Sequence, residues 1–434
     1  MIVDDQTTLT QALEHALDQV PFYARWKTHD PGPGHPINER FAALPRLTKR
    51  DIRAHMPKGF VPSDRDFKTG VETGEVELVM TSGTTEDRSS IVWYQPWWDD
   101  SEHAAATLHA GLDKVINGRQ REAVLTTPLC AGTVCHIGDL PVNERTMGRL
   151  LFLNQQADPA CWTARDMDRM IHELDDFKPE LLEADPAYLA ILCRYAVASG
   201  QSLFKPDFVS LTYEFPSRLH YRQIRQAFPD TPVLSSYGST ETGHLLTECE
   251  RGRFHQNTRY CHLEVQPLVA SRGDPLIGRL LVTTLGNPWV SLLRFDIGDL
   301  VRLETNPCPC GRSDGLTLAG ILGRVRDLTF DETGRAVTVD ALDRVVGNAE
   351  ALVSYQMEQT ARTEYLFHYV TAIGQTAPVQ ALLSGLKALY GPGVRMTMRP
   401  ESTIPTEPSG KFRLARTAFS WNPDEVFKTG NNNP

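Results

Sequence analysis

Between Thr81 and about Leu300 short apolar runs alternate with amphipathic stretches, and this alternation constrains the fold more than any other feature. Ala123-Val124-Leu125, Phe208-Val209-Ser210-Leu211, Pro232-Val233-Leu234 and Arg279-Leu280-Leu281-Val282 read as short strands. Ala187 to Val197 and Arg218 to Phe228 between them read as helices. The pattern predicts an α/β architecture with mostly parallel strands, whose ligands bind at strand carboxyl ends. After Arg326 the pattern changes. Val339 to Val346 and Val379 to Tyr390 are helix-like, while His368 to Ile373 and Val394 to Met398 are strand-like. The expected fold class is therefore α/β: a large multi-layer α/β amino-terminal domain over residues 1–326 and a small α+β domain over residues 327–434. A chain of 434 residues is too long for one core, which agrees with that division.

The net charge of −10 argues against a nucleic-acid or anionic-membrane surface. No apolar stretch approaches the roughly 18 residues of a spanning helix, and Met1 to Gln6 has no basic or apolar signal region. Eight cysteines in so long a chain do not form a disulfide scaffold. A cytoplasmic location, with no nucleic-acid and no membrane partner, is expected. In the first eighty residues Leu9, Leu13, Ala16, Leu17 and Val20 follow helical spacing. Thr48 is a candidate N-cap with Asp51 three residues on. That segment reads as a packed helical start in which nothing looks catalytic.

Four stretches could carry chemistry. Thr81-Ser82-Gly83-Thr84-Thr85 follows the apolar run Val76 to Met80, so unpaired N–H groups and hydroxyls would converge on an anion. It lacks the G-x-x-x-x-G-K-[ST] spacing of a Walker A loop. Leu211-Thr212-Tyr213-Glu214, Ser235 to Glu241, and Arg294 to Asp299 each follow a run read as a strand, the last being Trp289 to Leu293. Each sets small residues beside a carboxylate or hydroxyl that could bind ribose hydroxyls or Mg²⁺, and a tyrosine offers a flat face.

Thr81–Thr85, Ser236-Tyr237-Gly238-Ser239-Thr240-Glu241, Gly298-Asp299, Gly323-Arg324 with Asp327, and Ser409-Gly410-Lys411 occur in the order found in adenylate-forming enzymes, which the chain resembles along nearly its whole length. More narrowly it is similar to the phenylacetate–coenzyme A ligase and coenzyme F390 synthetase branch, which Val20 to Tyr23, Leu44 to Arg53, Pro309 to Arg312 and Ile321 to Arg324 also resemble. The resemblance implies ATP-dependent, AMP-forming activation of a small-molecule carboxylate to acyl-AMP and pyrophosphate. Residues 1–326 would be the adenylation domain and 327–434 a mobile lid. It implies that Thr81, Ser82, Gly83, Thr84 and Thr85 cradle the β- and γ-phosphates. Tyr213 and Glu214 would flank adenine, Tyr237 would lie near adenine and the acyl group, and Ser236 and Gly238 would also bind the nucleotide. Thr240 would contact the α-phosphate, Glu241 would hold Mg²⁺, Asp299 with Arg324 would grip the ribose, and Asp327 would be the hinge. Lys411 sits in a stretch broken by Pro405, Pro408 and Gly410, hence a presented loop. A mobile lysine there can neutralise charge on the transition state and on leaving pyrophosphate.

The chain departs from the family in two places. Glu86-Asp87-Arg88 stands where a Gly and a basic residue usually continue the phosphate loop. Leu328 to Arg335 lacks the Arg-Gly and aromatic-Pro elements that help form the thiol tunnel. The acceptor therefore stays open among coenzyme A, an amine, a carrier-protein thiol and a reductase partner enzyme. Activation for reduction or amide formation without coenzyme A is one alternative; a non-catalytic nucleotide-binding relative is another, opposed by Glu241, Asp299, Arg324 and Lys411. An aromatic carboxylate is preferred by analogy, with Leu129 to Val134 as the acyl-side loop and Trp93, Trp97 and Trp98 nearby. Specialised (secondary-metabolite) biosynthesis is the expected setting, and a homodimer is one expected assembly. Cys308-Pro309-Cys310 offers two thiolates on a tight turn, and Cys249 and His255, placed in one loop, would complete a Cys₃His tetrahedron for structural Zn²⁺, as in some relatives. Cys261 and His262 are competing ligands; Cys130, Cys135, Cys161 and Cys193 read as ordinary thiols.

Overall fold

The computed structural model describes residues 5–81, 89–118, 120–128 and 137–427. Among them one sheet carries twelve strands. In one half Leu150–Phe152, Glu122–Leu125, Leu181–Ala184, Phe208–Leu211 and Val233–Ser239 lie side by side and parallel, with Thr146–Met147 antiparallel at the edge. Val233–Ser239 then changes partner. Its first three residues pair parallel with Val209 to Leu211, and Ser236 to Ser239 pair antiparallel with Gly243–Glu248. Beyond it Phe254–Gln256, Thr317–Arg324, Phe295–Leu303, Ile277–Thr284 and Cys261–Pro267 are all antiparallel. The mostly parallel sheet expected from the alternation is thus a mixed one. The reason is local: after Ser239 the connections to Gly243 and then to Phe254 are too short for crossover helices, so consecutive strands must turn back.

Local chemistry sets the helix boundaries. Asp185 accepts the N–H groups of Ala187 and Tyr188, Pro186 occupies the first position, and left-handed Gly200 ends the helix Pro186–Ser199. The helix Lys49–His55 starts on a reciprocal capping box between Thr48 and Asp51, as predicted. The amino-terminal helix Asp5–Gln19 buries Leu9, Leu13 and Leu17 in a core that Tyr23, Trp26 and Phe60 share with Leu280, Val282 and Leu293 of the antiparallel half. The Tyr23 hydroxyl ties the two together, donating to the Ser291 carbonyl and accepting from the Leu293 N–H.

A separate four-stranded sheet, ordered Arg395–Pro400, Glu364–Thr371, Leu352–Ala361, Ala415–Thr417, packs with the helices Val339–Val346 and Val379–Tyr390 around Leu342, Tyr355, Phe367, Leu386 and Tyr390. The chain then returns to the large sheet. Val426 accepts the Val269 N–H at 3.0 Å and Phe427 bridges to Leu268. Asp424 accepts from Arg46 Nη2 at 2.9 Å and Arg279 Nη2 at 2.7 Å, while Asp296 faces the same two guanidiniums at 3.2 and 3.1 Å. Arg279 is 2% exposed and lies over the Phe427 ring. Removing one member of a buried ion pair strands its partner, at about 3 kcal/mol. Arg279→Ala is therefore expected to lower the thermal midpoint clearly in scanning calorimetry. Asp424→Ala, whose side chain is 49% exposed, should shift it by less than about 1 kcal/mol in stability.

Candidate active site

Strand ends from both halves of the sheet open onto one cavity of 1370 Å³. Thr81, Thr212 to Phe215, Ser235 to Glu241, Ile297 to Asp299, Gly323 to Arg326, Ser409 and Lys411 all line it. These positions span more than three hundred residues of sequence, and the sheet order brings them together. Asp299 and Arg324 are cross-strand partners on Phe295–Leu303 and Thr317–Arg324, their side chains 3.6 Å apart. The Tyr237 hydroxyl donates to Asp299 at 2.6 Å, and Ser236 meets Ser210 at 3.0 Å. Gly238 sits where the pairing slips by a residue, and a Cβ there would fall 2.3 Å from the Gly243 carbonyl oxygen. Only glycine lets the two strands close at that point.

The loop that carries Lys411 is docked into this cavity. Tyr188 donates to the Gly410 carbonyl at 2.8 Å, and Gly410, at φ +81, is hemmed in by Thr127 and Tyr188. Lys411 Nζ donates to the Tyr213 carbonyl at 3.2 Å, and the Phe412 N–H donates to Glu214 at 2.8 Å. Tyr213 itself holds a left-handed backbone at φ 72, a strained conformation for a residue with a side chain. Asp327 accepts from Arg413 at 2.6 Å, and Arg326 donates to Glu407 at 2.9 Å, so the same loop is held from its other side.

Charges in the site are arranged in opposition. Burial lowers the Lys411 ammonium, helped by the Arg324 charge, while Glu214 and Asp185 oppose that shift. Burial and the Asp185 charge push Glu214 well above the carboxylate range, against the pull of Lys411. Burial likewise raises Asp185 to about 7, with Lys411 pulling it down. Burial alone would raise Glu241, yet the Lys49 charge at 3.6 Å and a hydrogen bond from Ser239 leave it lowered and ionised.

Several expectations change in detail. Asp299 lies within the strand Phe295–Leu303, not after one, because Trp289 to Leu293 forms no strand. Ser236 to Ser239 likewise belong to a strand. Thr240 lines the cavity beside Glu241. Thr81 lines it too, but its hydroxyl already accepts the Ser89 N–H at 3.0 Å. Ser82, Gly83, Thr84 and Thr85, the acids Glu86 and Asp87 with Arg88, Cys130, Cys135 and the loop Leu129 to Val134 lie outside the described residues. Of the tryptophans Trp97 is core, donating to the Leu285 carbonyl, whereas Trp93 and Trp98 line the cavity. Two residues were missed. The first eighty residues, expected to carry no chemistry, deliver Lys49 to Glu241, and Asp185 faces the lysine loop. Thr48 capping was a signal for the first, since a cap fixes which residue opens the helix; a strand followed by Asp-Pro was one for the second.

A second cluster joins the end of the strand Gly243–Glu248, the strand Phe254–Gln256 and the loop at Cys308 to Cys310. The ligand atoms of Cys249, His255, Cys308 and Cys310 all lie within 4.8 Å of one another. Cys249 and Cys308 sulfurs are 3.8 Å apart, the edge of a tetrahedron with metal–sulfur bonds of about 2.3 Å. His255 Nε2 is 3.2 Å from the Cys310 sulfur, and its Nδ1 is 3.5 Å from the Thr317 hydroxyl. His255 is on the strand Phe254–Gln256 and not in the expected loop. Cys261 instead contacts the Leu245 and Asn257 carbonyls, and His262 the Phe41 ring, so neither competes. Cys193 is buried and Cys161 exposed, both free.

No family model matches the chain. Protein CapK of Staphylococcus aureus is 22% identical over 383 residues, covering 86% of this chain and 79% of that protein. Phenylacetate–coenzyme A ligase of Thermus thermophilus is 25% identical over 333 residues, 74% of this chain and 69% of that enzyme. Among solved structures, 2-hydroxyisobutyryl-CoA ligase in its postadenylation state superposes with a TM-score of 0.69 at 17% identity, covering 96% of this chain and 89% of that one. The same ligase in its thioesterification state gives 0.55 at 17% identity, over 95% and 88%.

Asp185 supplies a pH test of the site. Its folded value near 7 stands above an ordinary 3.8, so the folded chain keeps a proton that the unfolded chain has lost. That difference destabilises the fold progressively as pH rises from about 4 to about 7. Asp185→Asn keeps the helix cap and removes the titration. Its thermal midpoint relative to the parent is expected to rise across that window in calorimetry run at successive pH values.

Proposed function

We propose that this chain, which has the fold of the adenylate-forming ligases and is similar to their phenylacetate–coenzyme A ligase-like branch, activates a carboxylic acid with ATP and passes the acyl group to a thiol or amine acceptor. What supports this most is the placement of Lys411: a half-buried lysine from the small carboxyl-terminal body, 3.2 Å from the Tyr213 carbonyl, in the cavity that Glu241, Asp299 and Arg324 also line.

In the reaction a carboxylate oxygen attacks the α-phosphorus of ATP, the bond to the β-phosphate oxygen breaks, and pyrophosphate departs. Lys411 would sit beside the developing charge. Two opposite charges about 4 Å apart attract by about 4 kcal/mol at an effective dielectric of about 20, roughly a thousandfold in rate. Asp299, already positioned by Tyr237 and Arg324, would bind the ribose hydroxyls; Tyr213 and Glu214 would flank adenine, Tyr237 would lie near adenine and the acyl group, and Ser236 and Gly238 would also bind the nucleotide. Thr240 would contact the α-phosphate, and Thr81 with residues 82–85 the outer phosphates. Mg²⁺ held by Glu241 would screen the triphosphate, and Lys49, freed from its pairing with Glu241, would add a cation on the same side. Residues 1–326 would act as the adenylation domain, and 327–434 as a lid turning about Asp327. Trp93, Trp98 and Phe152 all line the cavity and give it aromatic faces suited to an aromatic acid.

Carboxylate-dependent exchange of labelled pyrophosphate into ATP is the test. Exchange is expected with one class of acid and to fall by a factor of about a hundred to a thousand in Lys411→Ala; no exchange across a broad acid panel, with ATP still bound, would overturn it.

We also propose that Cys249, His255, Cys308 and Cys310 hold a structural Zn²⁺, a donor set whose four protein ligands close the tetrahedron. Elemental analysis is expected to find one zinc per chain. Cys310→Ser should lose it and lower the thermal midpoint, while a zinc content unchanged in that variant would refute the assignment.

A further inference from the structure

The cavity continues past the nucleotide groups to a wall of which the sequence singled out only the tryptophans. Glu122 and Val124 project from the strand Glu122–Leu125, and Glu183 is the direct neighbour of Val124 on the next strand, so all three share one face. The helix Gln95–Ala106 adds Trp98 and Glu102, and His244 completes the wall. Burial raises the carboxyls of Glu102, Glu122 and Glu183, and Glu122 also feels the charges of the other two. No lysine or arginine among the described residues acts on any of them.

With its carboxyls ionised, the form a neighbouring cation favours, the wall offers acceptors and aromatic faces almost exclusively. The carboxyls of Glu102 and Glu122 have no hydrogen-bond or ion-pair partner among the described residues. Glu183 takes the hydroxyl hydrogen of Tyr213, which spends that donor. The Trp93 indole N–H is given to Gln95 at 2.8 Å. His244, held neutral by burial, stands edge-on to Trp98 at 4.8 Å, and its Nε2 is sealed from solvent without a partner. Trp93 and Trp98 lie 4.3 Å apart. A metal ion does not answer this arrangement, because among the described residues only the Cys249 cluster brings three or more ligand atoms within reach of one ion. An organic cation does: it supplies N–H donors and positive charge to carboxyls and finds attraction at indole faces.

We propose that the acid activated in this cavity carries a protonated amine, seated among Glu102, Glu122 and Glu183 beside Trp93 and Trp98. This rests on the adenylation reading and narrows its substrate to ammonium-bearing carboxylic acids. The amine stays protonated in the pocket while the carboxylate, at the other end of the molecule, reaches the Lys411 side.

The experiment uses matched acids of graded length, from 4-aminobutyrate to 4-(aminomethyl)phenylacetate, each beside its hydroxyl isostere. Binding is followed by calorimetry and turnover by pyrophosphate exchange. At least one ammonium acid is expected to bind ten times or more tighter than its isostere. Glu122→Gln and Glu102→Gln, each relieving a crowded carboxyl and so expected to fold, should each erode that preference about tenfold, through KM more than kcat. Equal or better binding of the hydroxyl acids, a preference untouched in both variants, or no binding by any ammonium acid would overturn the proposal. Exchange with neutral acids alone would refute this inference and leave adenylation standing. Preferential ammonium-acid binding without exchange would refute adenylation and leave the pocket assignment.

Discussion

The change of partner within Val233–Ser239 is the constraint on which the remaining architecture depends. The strand begins parallel to one neighbour and ends antiparallel to the other, and its antiparallel pairing slips between Tyr237 and Gly238. It joins a parallel half with helical crossovers to an antiparallel half without them. It also aims Tyr237 at Asp299, whose strand lies four places along the sheet order in the other half, and leaves Thr240 and Glu241 on the turn that faces the cavity. Substituting Gly238 would drive a Cβ into the Gly243 carbonyl, so the backbone approach and the site geometry are one constraint.

The cavity built on that junction is divided by charge. Lys49, Arg324 and Lys411 stand on the side where Glu241 and Asp299 also lie, an arrangement fit for a polyanion whose charges need both screening and orientation. Glu102, Glu122 and Glu183 stand on the other wall with no lysine or arginine among the described residues acting on them. Tyr213 joins the two regions: its carbonyl receives Lys411, its hydroxyl goes to Glu183, and its left-handed backbone permits both at once. A strained residue persists only where its surroundings over-determine it, and here two opposing polar contacts do so.

Two features brace the antiparallel half. The Cys249 cluster gathers the end of one strand, the next strand and the loop at Cys308 to Cys310. At the other side Asp424 and Phe427 close over Arg279, so the small carboxyl-terminal body is joined to the large sheet both at Val325 to Asp327 and through the last described residues. Any turning of that body must accommodate both attachments.

Features written over a few consecutive residues were legible in the sequence. The Thr48–Asp51 box, the helices Val339–Val346 and Val379–Tyr390, the strand at Phe208 and the loop around Lys411 depend on capping, periodicity and Pro/Gly placement, which are local. So did the ordered motifs that resemble adenylate-forming enzymes, and Cys249, His255, Cys308 and Cys310 were named as one ligand set. What only the tertiary structure decided was adjacency. Lys49 beside Glu241, Asp185 beside Lys411, the separation of core Trp97 from cavity-lining Trp93 and Trp98, and the convergence of Glu102, Glu122 and Glu183 all follow from the order of strands in a sheet and the face each side chain takes. Periodicity tells a strand from a helix but carries no information on which strand lies next to it, because pairing is settled by packing across the whole sheet.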